Sequence, residues 1–402
     1  MLSSLILLSS IAPLSSAFPD VKNRGIIFDP VAQLVSVSGE HAWKAPGPND
    51  QRGPCPAMNA VANHGYIPRN GFTTIGQAVQ GLNEALGISV EFGTVLAIIA
   101  AIEAGDGLAF SIGGPPPPNL IAGGLLGQPL GISYSHNRFE GDASLTRNDL
   151  YTSGDAHTLQ LPLFKQLLDF AGDRDNFDLD VIGGFSALRY NNSLYNNPYF
   201  FRGPVGFAVP PGTSGLVANV FSNKSVEYPD GYLNKENLKS FFGVTGDDDN
   251  LQFTPGHERI PENWYKRNVF DPYSTASFAA DMLAIYTSNP QIITLGGNTG
   301  KVNTMTPIDV GNLTGGVYNA ANLLQGNNLV CFIFQVLAFE SPDIISNGGV
   351  INDLLGLIDA SLQSAVTNAL SSLACPQLTE FDDGQLSNFP GYTKFHANIG
   401  SY

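Results

Sequence analysis

The chain has 402 residues, of which 43% are hydrophobic and 13% are charged. This composition allows a large buried core and is not typical of disordered chains, and the charged fraction lies well below the usual quarter. The formal net charge of −16 at pH 7 argues against nucleic acids and anionic membrane surfaces as partners.

The first 17 residues are typical of a secretory signal peptide. Residues 5–8 form a short apolar centre, and residues 15–17 are the small residues that a signal peptidase requires near its cleavage site. The segment is too short to span a bilayer, and the alternative is a buried N-terminal helix. We therefore expect a secreted, extracellular protein in which residues 18–402 form one domain.

Helical periodicity recurs along the chain, whereas strand signals are few, with residues 292–295 as one of them. Residues 92–102 are strongly apolar, but Glu91 and Glu103 bracket them at too short a length to cross a bilayer, so we expect a core helix. The sequence predicts a mainly α protein with long irregular connections. The predicted helices are residues 75–86, 90–104, 161–172, 235–242, 274–287, 321–337 and 351–373.

The chain contains three cysteines, an odd number for a secreted protein. Cys331 and Cys375 each lie next to an apolar, helix-like stretch near the C terminus and could join two neighbouring helices. Cys55 lies between two prolines and is the candidate free, functional thiol. Sequons for N-glycosylation also favour export, and they begin at Asn191, Asn223 and Asn312.

Cys55 belongs to the stretch Arg-Gly-Pro-Cys-Pro at residues 52–56. Pro56 has no amide hydrogen and favours the first position of a helix, so Cys55 is expected at the N terminus of a helix over residues 57–63. There the helix dipole and free N–H groups favour an anion at sulfur and lower its pKa. Such a thiolate can ligate iron or act as a nucleophile. The alternative is a small buried hydrophobic side chain.

Residues 41–44, 52–56 and 64–71 read HAWK, RGPCP and HGYIPRNG. They resemble the N-terminal signature of the haem-thiolate peroxidases, the family that includes chloroperoxidase and the unspecific peroxygenases. The resemblance implies haem b bound through Cys55 as the axial ligand, flanked by Pro54 and Pro56. Thiolate ligation pushes electron density onto the iron and favours O–O cleavage. It also implies a single chloroperoxidase-like helical domain. In the longer peroxygenases two C-terminal cysteines are bridged, which implies a Cys331–Cys375 disulfide.

Residues 139–149, FEGDASLTRND, resemble the Glu-Gly-Asp-x-Ser-x-x-Arg motif of the longer peroxygenases. The resemblance implies that Glu140, the Gly141 carbonyl and Ser144 bind a magnesium ion beside a haem propionate, with Asp142 supporting the loop. Oxygen ligands suit magnesium. From the residues alone, the alternative is a helix N terminus capped by Asp142 or Ser144.

The family cleaves peroxide with a distal Glu that moves a proton and an Arg that stabilises developing charge. Residues 197–198 and 218–221 match the segments on either side of these two residues. Without a gap, the Arg position is Gly206 and the Glu position is Thr213. One interpretation is that the gapless alignment is misplaced in a divergent loop and another residue supplies the acid. The other is that peroxide cleavage is slow, differently assisted or absent.

Other side chains near these positions offer weaker substitutes. Arg202 lies four residues before the Arg position at Gly206, and Glu227 lies well after the Glu position at Thr213. His136 or a water chain is a further alternative. Phe139 matches one aromatic residue of the family's distal pocket, whereas another maps to Leu216, so the pocket is expected to be more aliphatic.

The resemblance predicts a secreted peroxidase or peroxygenase that uses hydrogen peroxide on a small organic substrate. The alternatives are a haem-binding member of the family with weak or no peroxygenase activity, and a halide-oxidising enzyme. No nucleic-acid or membrane partner is expected, and the sequence does not distinguish a monomer from a dimer.

Overall fold

The computed structural model describes residues 28–117, 129–339, 375–378 and 380–398. Within these residues the chain is mainly helical with three small antiparallel sheets, which confirms the predicted mainly α class. The helices are α1 (Pro56–Asn63), α2 (Ile75–Leu86), α3 (Val90–Glu103), α4 (Leu150–Ser153), α5 (Leu161–Ala171), α6 (Leu179–Asn196), α7 (Pro204–Val220), α8 (Lys235–Phe241), α9 (Thr275–Ser288), α10 (Val310–Leu313), α11 (Asn328–Phe339) and α12 (Pro390–Asn398).

Each sheet is built from strands of only two or three residues. The first sheet pairs β1 with β2, the second has the order β3-β6-β7, and the third pairs β4 with β5. The strands are β1 (Phe72–Thr74), β2 (Ala109–Ser111), β3 (Phe201–Arg202), β4 (Val244–Thr245), β5 (Gln252–Phe253), β6 (Gly296–Gly297) and β7 (Thr306–Pro307).

Five predicted helices agree with α2, α3, α5, α8 and α9 to within one residue at each end. The helix predicted over 321–337 begins only at Asn328, because the side chains of Asn319 and Asn322 hold the preceding residues in turns. The strand predicted at 292–295 is wrong: Pro290–Ile292 is a 3-10 turn, and the strand begins at Gly296. The predicted signal peptide and the helix predicted over 351–373 lie outside the described residues.

Side-chain caps explain where α2 and α3 begin. Thr74 Oγ1 accepts a hydrogen bond from the Gln77 amide at 3.3 Å, and Gln77 Oε1 accepts one from the Thr74 amide at 3.0 Å, which forms a capping box. Ser89 caps α3, and most of the apolar residues of this helix are buried, so the predicted core helix is confirmed. Among the described residues, no helix has the length and hydropathy needed to cross a membrane.

Helix α7 is stabilised by a buried arginine. Pro210 and Pro211 lie in its interior and have no N–H, so the carbonyls four residues earlier, at Gly206 and Phe207, lose their helical donors. Arg202 replaces those donors: its Nε donates to Gly206 O at 3.1 Å, and a terminal nitrogen donates to Phe207 O at 3.4 Å. Proline and glycine mask this helix in the sequence, which is why periodicity missed it.

The guanidinium of Arg202 makes two further contacts. Its other terminal nitrogen donates to Ile292 O at 3.0 Å, and its Cζ lies 5.2 Å from the centre of the Tyr190 ring. The hydroxyl of Tyr286 donates to Phe207 O at 2.6 Å and so supports the same carbonyl. Arg202 is therefore a structural residue of the α7 N terminus.

Two clusters of buried apolar side chains form the core, one mainly from α1, α2, α3 and α5 and the other mainly from α9, α10 and α11. Ile99 and Phe278 pack against both clusters. Cys55, Phe139 and Leu216 are half-buried and pack against the first cluster. The predicted haem ligand and the two predicted pocket residues therefore border the same core cluster.

The two C-terminal cysteines form a disulfide. Cys331 is fully buried on α11, and its Cα lies 5.4 Å from that of Cys375. This pairing confirms the predicted bridge and leaves Cys55 as the free cysteine.

Candidate active site

Cys55 is the N-cap residue of α1, and Pro56 is the first residue of the helix. Burial raises the pKa of the Cys55 thiol, and it outweighs the backbone amides of Met58 and Ala57 and the charge of Arg147, which lower the pKa. The amides at the helix N terminus lower the pKa as expected, but desolvation of the sulfur is the larger effect, so the net shift of the pKa is upward.

The backbone before Cys55 is held by a single side chain of α1. Asn59 accepts a hydrogen bond from the Gly53 amide at 3.0 Å and donates to the Gly53 carbonyl at 2.9 Å. A Cβ at Gly53 would collide with the carbonyl oxygen of Ile112, so only glycine fits there. These contacts fix the loop that presents Sγ.

One helical turn later, Asn63 ties the same loop to a distant segment. Its Oδ1 accepts hydrogen bonds from Arg52 at 2.9 and 2.7 Å, and its Nδ2 donates to Glu258 O at 2.9 Å. Asn59 makes the parallel contact, because its Nδ2 donates to Glu258 Oε1 at 2.8 Å. The sequence analysis did not identify Asn59, Asn63 or Glu258 as supports of this loop. The signal in the sequence was the pair of asparagines four residues apart on one helix face.

Glu140 and Asp142 place carboxylates in a buried setting. Glu140 Oε2 is hydrogen-bonded to His136 Nδ1 at 2.7 Å, and His136 Nε2 lies 3.7 Å from Asp142 Oδ1. Burial lowers the pKa of His136, but the charges of Glu140 and Asp142 and the hydrogen bond outweigh it and raise the pKa to about 9. Glu140 Oε1 and Asp142 Oδ1 have no hydrogen-bond partner, which is an unfavourable state that a cation bound there would relieve.

The loop that carries Glu140 is attached to the end of α6. Asn197 donates to Asp142 Oδ2 at 3.1 Å and to Asp149 Oδ2 at 2.9 Å. Ala143 has a positive φ of 64°, and its amide donates to Asp149 Oδ1 at 3.0 Å. Residues 141–148 form bends and irregular backbone, and α4 begins only after Asp149, so the alternative of a helix N terminus capped by Asp142 or Ser144 is wrong.

The predicted magnesium ligands contain only one charged side chain, Glu140. Among the described residues, no group of three or more His, Cys, Asp or Glu side chains is arranged to hold a metal ion. The predicted set would complete its coordination with neutral oxygens from the Gly141 carbonyl and the Ser144 hydroxyl, which is compatible with a hard cation. The unpartnered Glu140 Oε1 is the observation that fits such an ion.

Helix α7 carries both positions predicted for the distal pair. It runs unbroken from Pro204 to Val220, and Gly206, Thr213 and Leu216 share one face through spacings of seven and three residues. Thr213 is exposed in this structure, and its hydroxyl donates to Pro210 O at 2.9 Å. No residue of α7 has an ionisable side chain.

The substitutes considered for the distal pair are engaged elsewhere. Arg202 is used by the α7 carbonyls, and Glu227 lies on the surface, where its carboxylate accepts a hydrogen bond from Ser225 at 2.7 Å. His136 is bound to Glu140. Gly206 nevertheless lies beside the Glu140 loop, because a Cβ on Gly141 would be 3.9 Å from the Gly206 Cα.

Comparison with known proteins agrees with this geometry. The sequence model described as "Peroxidase, family 2" matches residues 41–269, which span Cys55, Glu140 and Thr213. The chain belongs to peroxidase family 2, the chloroperoxidase family. The dothistromin biosynthesis peroxidase dotB of Dothistroma septosporum is 48% identical over 372 residues, covering 92% of this chain and 89% of that protein.

Two further relatives have activities in their names. The aromatic peroxidase fscJ of Fusarium equiseti is 35% identical over 395 residues, covering 94% of this chain and 89% of its own length. The aromatic peroxygenase of Cyclocybe aegerita is 31% identical over 286 residues, covering 68% of each chain. The protein is therefore an oxidoreductase of the peroxidase and peroxygenase type that performs peroxide-dependent oxidation, and its family implies haem.

The peroxidase family 2 fold provides a fit for haem on the side of Cys55. The sulfur is half-buried among apolar side chains, and the amides of Ala57 and Met58 lie close enough to stabilise a thiolate. A soft thiolate ligand suits haem iron. What sequence reasoning did not find is the polar support behind the loop, namely Asn59, Asn63 and Glu258.

Proposed function

We propose that this peroxidase binds haem b through the Cys55 thiolate and uses hydrogen peroxide to oxidise or oxygenate a small organic substrate. The observation that carries the proposal is the position of Cys55, the free cysteine, at the start of α1 with its loop held by Asn59. The names of two relatives favour an aromatic compound as the substrate.

Bound haem supplies the O–O cleavage and the oxidising power. The chain's own residues position and shield it. Cys55 donates electron density from sulfur, and the apolar side chains around it exclude water. Phe139 and Leu216 both pack against the first core cluster. In this proposal they line the substrate side, where one aromatic and one aliphatic wall would admit a flat apolar molecule.

The test is the carbon monoxide difference spectrum of the dithionite-reduced holoprotein. We expect a Soret band at roughly 450 nm, as thiolate ligation produces, and its loss in Cys55→Ser. Cys55→Ser is nearly isosteric, so a lost band reports the ligand rather than a cavity. A band at roughly 420 nm in the wild type, or no bound haem, would contradict the proposal.

We also propose that Glu140, the Gly141 carbonyl and Ser144 bind a magnesium ion. The absence of a hydrogen-bond partner at Glu140 Oε1 and Asp142 Oδ1 supports a cation at this place. Glu140→Gln is expected to lower the magnesium content of the purified holoprotein, measured by elemental analysis, and to accelerate haem loss to apomyoglobin. Glu40→Gln removes the same charge from an exposed site and serves as the control. Equal magnesium content in all three proteins would overturn the assignment.

A second candidate function is haem binding with weak or no peroxygenase activity. It is favoured by the absence of an ionisable side chain on α7, where family members carry their acid and base. Steady-state turnover of an aromatic substrate with hydrogen peroxide distinguishes the two candidates once haem binding is established. Adding chloride or bromide to the same assay tests the halide-oxidising alternative.

We further propose that the protein is secreted and glycosylated. The N-terminal sequence, the sequons and the Cys331–Cys375 disulfide support an oxidising compartment. Asn312 is exposed, whereas Asn191 is half-buried on α6 and Asn223 Oδ1 accepts the Tyr265 amide at 2.8 Å. Asn312 is therefore the sequon most open to a glycan. Peptide mass spectrometry of the secreted protein tests occupancy, and Asn312→Gln is expected to remove one glycan mass.

A further inference from the structure

Two opposite charges are buried near Cys55 and have no role in the function described so far. Glu258 is 1% exposed and Arg147 is 3% exposed. Burying an ionised side chain is unfavourable unless charges or hydrogen bonds compensate for it. Glu258 Oε2 and Arg147 Nε have no hydrogen-bond partner, so each charge is only partly compensated by direct contacts.

The backbone of Glu258 is fixed against α1 and the N-terminal segment. Its carbonyl accepts hydrogen bonds from Asn63 Nδ2 at 2.9 Å and from Trp43 Nε1 at 3.1 Å. Its side chain then reaches Asn59, whose Nδ2 donates to Oε1 at 2.8 Å. The carboxylate is thus held one helical turn from Cys55.

Asn59 connects this carboxylate to the ligand loop. The same amide nitrogen that donates to Glu258 also donates to Gly53 O, and the Asn59 oxygen accepts the Gly53 amide. A chain of hydrogen bonds therefore runs from Glu258 through Asn59 to the backbone two residues before Cys55. Movement of the carboxylate would move the loop that sets the direction of Sγ.

The two buried charges also stabilise each other. Burial raises the pKa of Glu258, whereas the hydrogen bond from Asn59 and the charge of Arg147 lower it. Burial lowers the pKa of Arg147, and the charges of Glu258 and Cys55 oppose that effect. Each of these two buried side chains therefore favours the ionised form of the other.

We propose that Glu258 is a positioning residue for the Cys55 thiolate: through Asn59 it holds the ligand loop, and its negative charge strengthens electron donation from sulfur to the haem iron. This inference rests on the proposed haem ligation. A fixed negative charge near a thiolate ligand favours the ferric over the ferrous state, whereas a nearby cation does the opposite. Glu258 and Arg147 therefore set the reduction potential in opposite directions.

The test is a reductive titration of holoproteins. Glu258→Gln keeps the size of the side chain and an oxygen that accepts from Asn59, but it removes the charge. We expect a positive shift of the reduction potential and a displaced Soret band of the carbon monoxide complex. Glu262→Gln removes the same charge from an exposed residue four positions later and is expected to match the wild type.

A second variant covers the case in which Glu258→Gln does not retain haem. Arg147→Gln removes the opposing cation and is expected to shift the potential in the negative direction. An unchanged potential in Glu258→Gln, or in Arg147→Gln if only that variant binds haem, overturns the inference. Failure of the proposed function is distinguishable, because the wild type itself would then lack the thiolate band.

Discussion

The Nε of Arg202 donates to the carbonyl oxygen of Gly206 at 3.1 Å, in the place of the amide that Pro210 lacks. An arginine close to the family's distal position in sequence is thereby committed to backbone carbonyls. It supports the helix that carries Thr213 without presenting its own charge to the site.

Replacing Arg202 is expected to unfold the protein more easily. Arg202→Met leaves the buried carbonyls of Gly206 and Ile292 without their arginine donor, whereas Phe207 O keeps the hydrogen bond from Tyr286. Each unsatisfied carbonyl costs about 1–3 kcal/mol. Unfolding in guanidinium chloride should show that the free energy of unfolding falls by at least about 2 kcal/mol. Arg174→Met, at an exposed arginine paired with Asp178, should change stability by less than about 1 kcal/mol. Similar losses in both variants would contradict the structural role.

Thr213→Glu is expected to increase peroxide-dependent turnover. The unbroken α7 places residue 213 at the family's acid position, and a positioned carboxylate contributes on the order of 100-fold or more to proton transfer. The measurement is initial rate against hydrogen peroxide concentration at fixed haem content. Thr213→Gln has the same size without the acid and should stay at the wild-type rate. If the two variants turn over equally, the acid lies elsewhere.

Adding the second family residue is sterically feasible. A Cβ at Gly206 would lie no closer than 3.8 Å to any neighbour, its nearest being Phe201 O, so Gly206→Arg starts without a clash. The double variant with Thr213→Glu is expected to exceed the single variant, because a cation stabilises the charge that develops on the departing oxygen.

Glu103 should make stability depend on pH. Its Oε2 accepts from Arg138 Nε at 3.0 Å, but burial dominates and raises its pKa from 4.5 to about 7. Between these values the folded state keeps a proton that the unfolded state releases, so stability falls as pH rises through this window, by on the order of 3 kcal/mol. Above about 7 the contribution levels off.

The comparison of Glu103→Gln with the wild type isolates this effect. The variant cannot titrate at residue 103, so its free energy of unfolding should fall less between pH 4.5 and 8 than that of the wild type. Glu262→Gln should retain the wild-type dependence. Parallel curves for Glu103→Gln and the wild type would show that the buried carboxyl is ionised throughout.

The Cys331–Cys375 disulfide should contribute substantially to stability. It closes a loop with a sequence separation of 44, for which chain entropy gives a stabilisation of about 4 kcal/mol. The Cys331→Ala, Cys375→Ala double variant is expected to lose about 2–4 kcal/mol in denaturant unfolding. Dithiothreitol should destabilise the wild type and leave the double variant unchanged. A double variant as stable as the wild type would contradict this expectation.

The parts of the site that follow from local chemistry were predictable from the sequence. Pro56 fixes the start of α1 and so the place of Cys55, and the mainly α class follows from apolar periodicity. The support of the loop was not predictable, since Glu258 lies 199 residues after Asn59 and only the fold joins them. The net direction of the Cys55 pKa shift was not predictable for a related reason. Burial depends on tertiary packing, whereas the helix dipole is a local effect.

Helix α7 shows the same limit in another form. Its prolines and glycines argue against a helix when each is considered alone, and Arg202 compensates for them from outside the helix. The turns before α11 are the reverse case, because Asn319 and Asn322 capture backbone groups in a stretch that the apolar pattern favours as helix.

The disulfide also determines what a single proteolytic cut can release. A cleavage between Cys331 and Cys375 leaves the C-terminal fragment covalently attached to α11. That fragment includes α12, where Gly391 lies against Tyr199 O. The carbonyl of Gly391 also accepts a hydrogen bond at 3.3 Å from Asn137, a residue three positions before Glu140. A nicked enzyme would therefore migrate as one band without reductant and as two with it, and its C-terminal helix would stay beside the Glu140 loop.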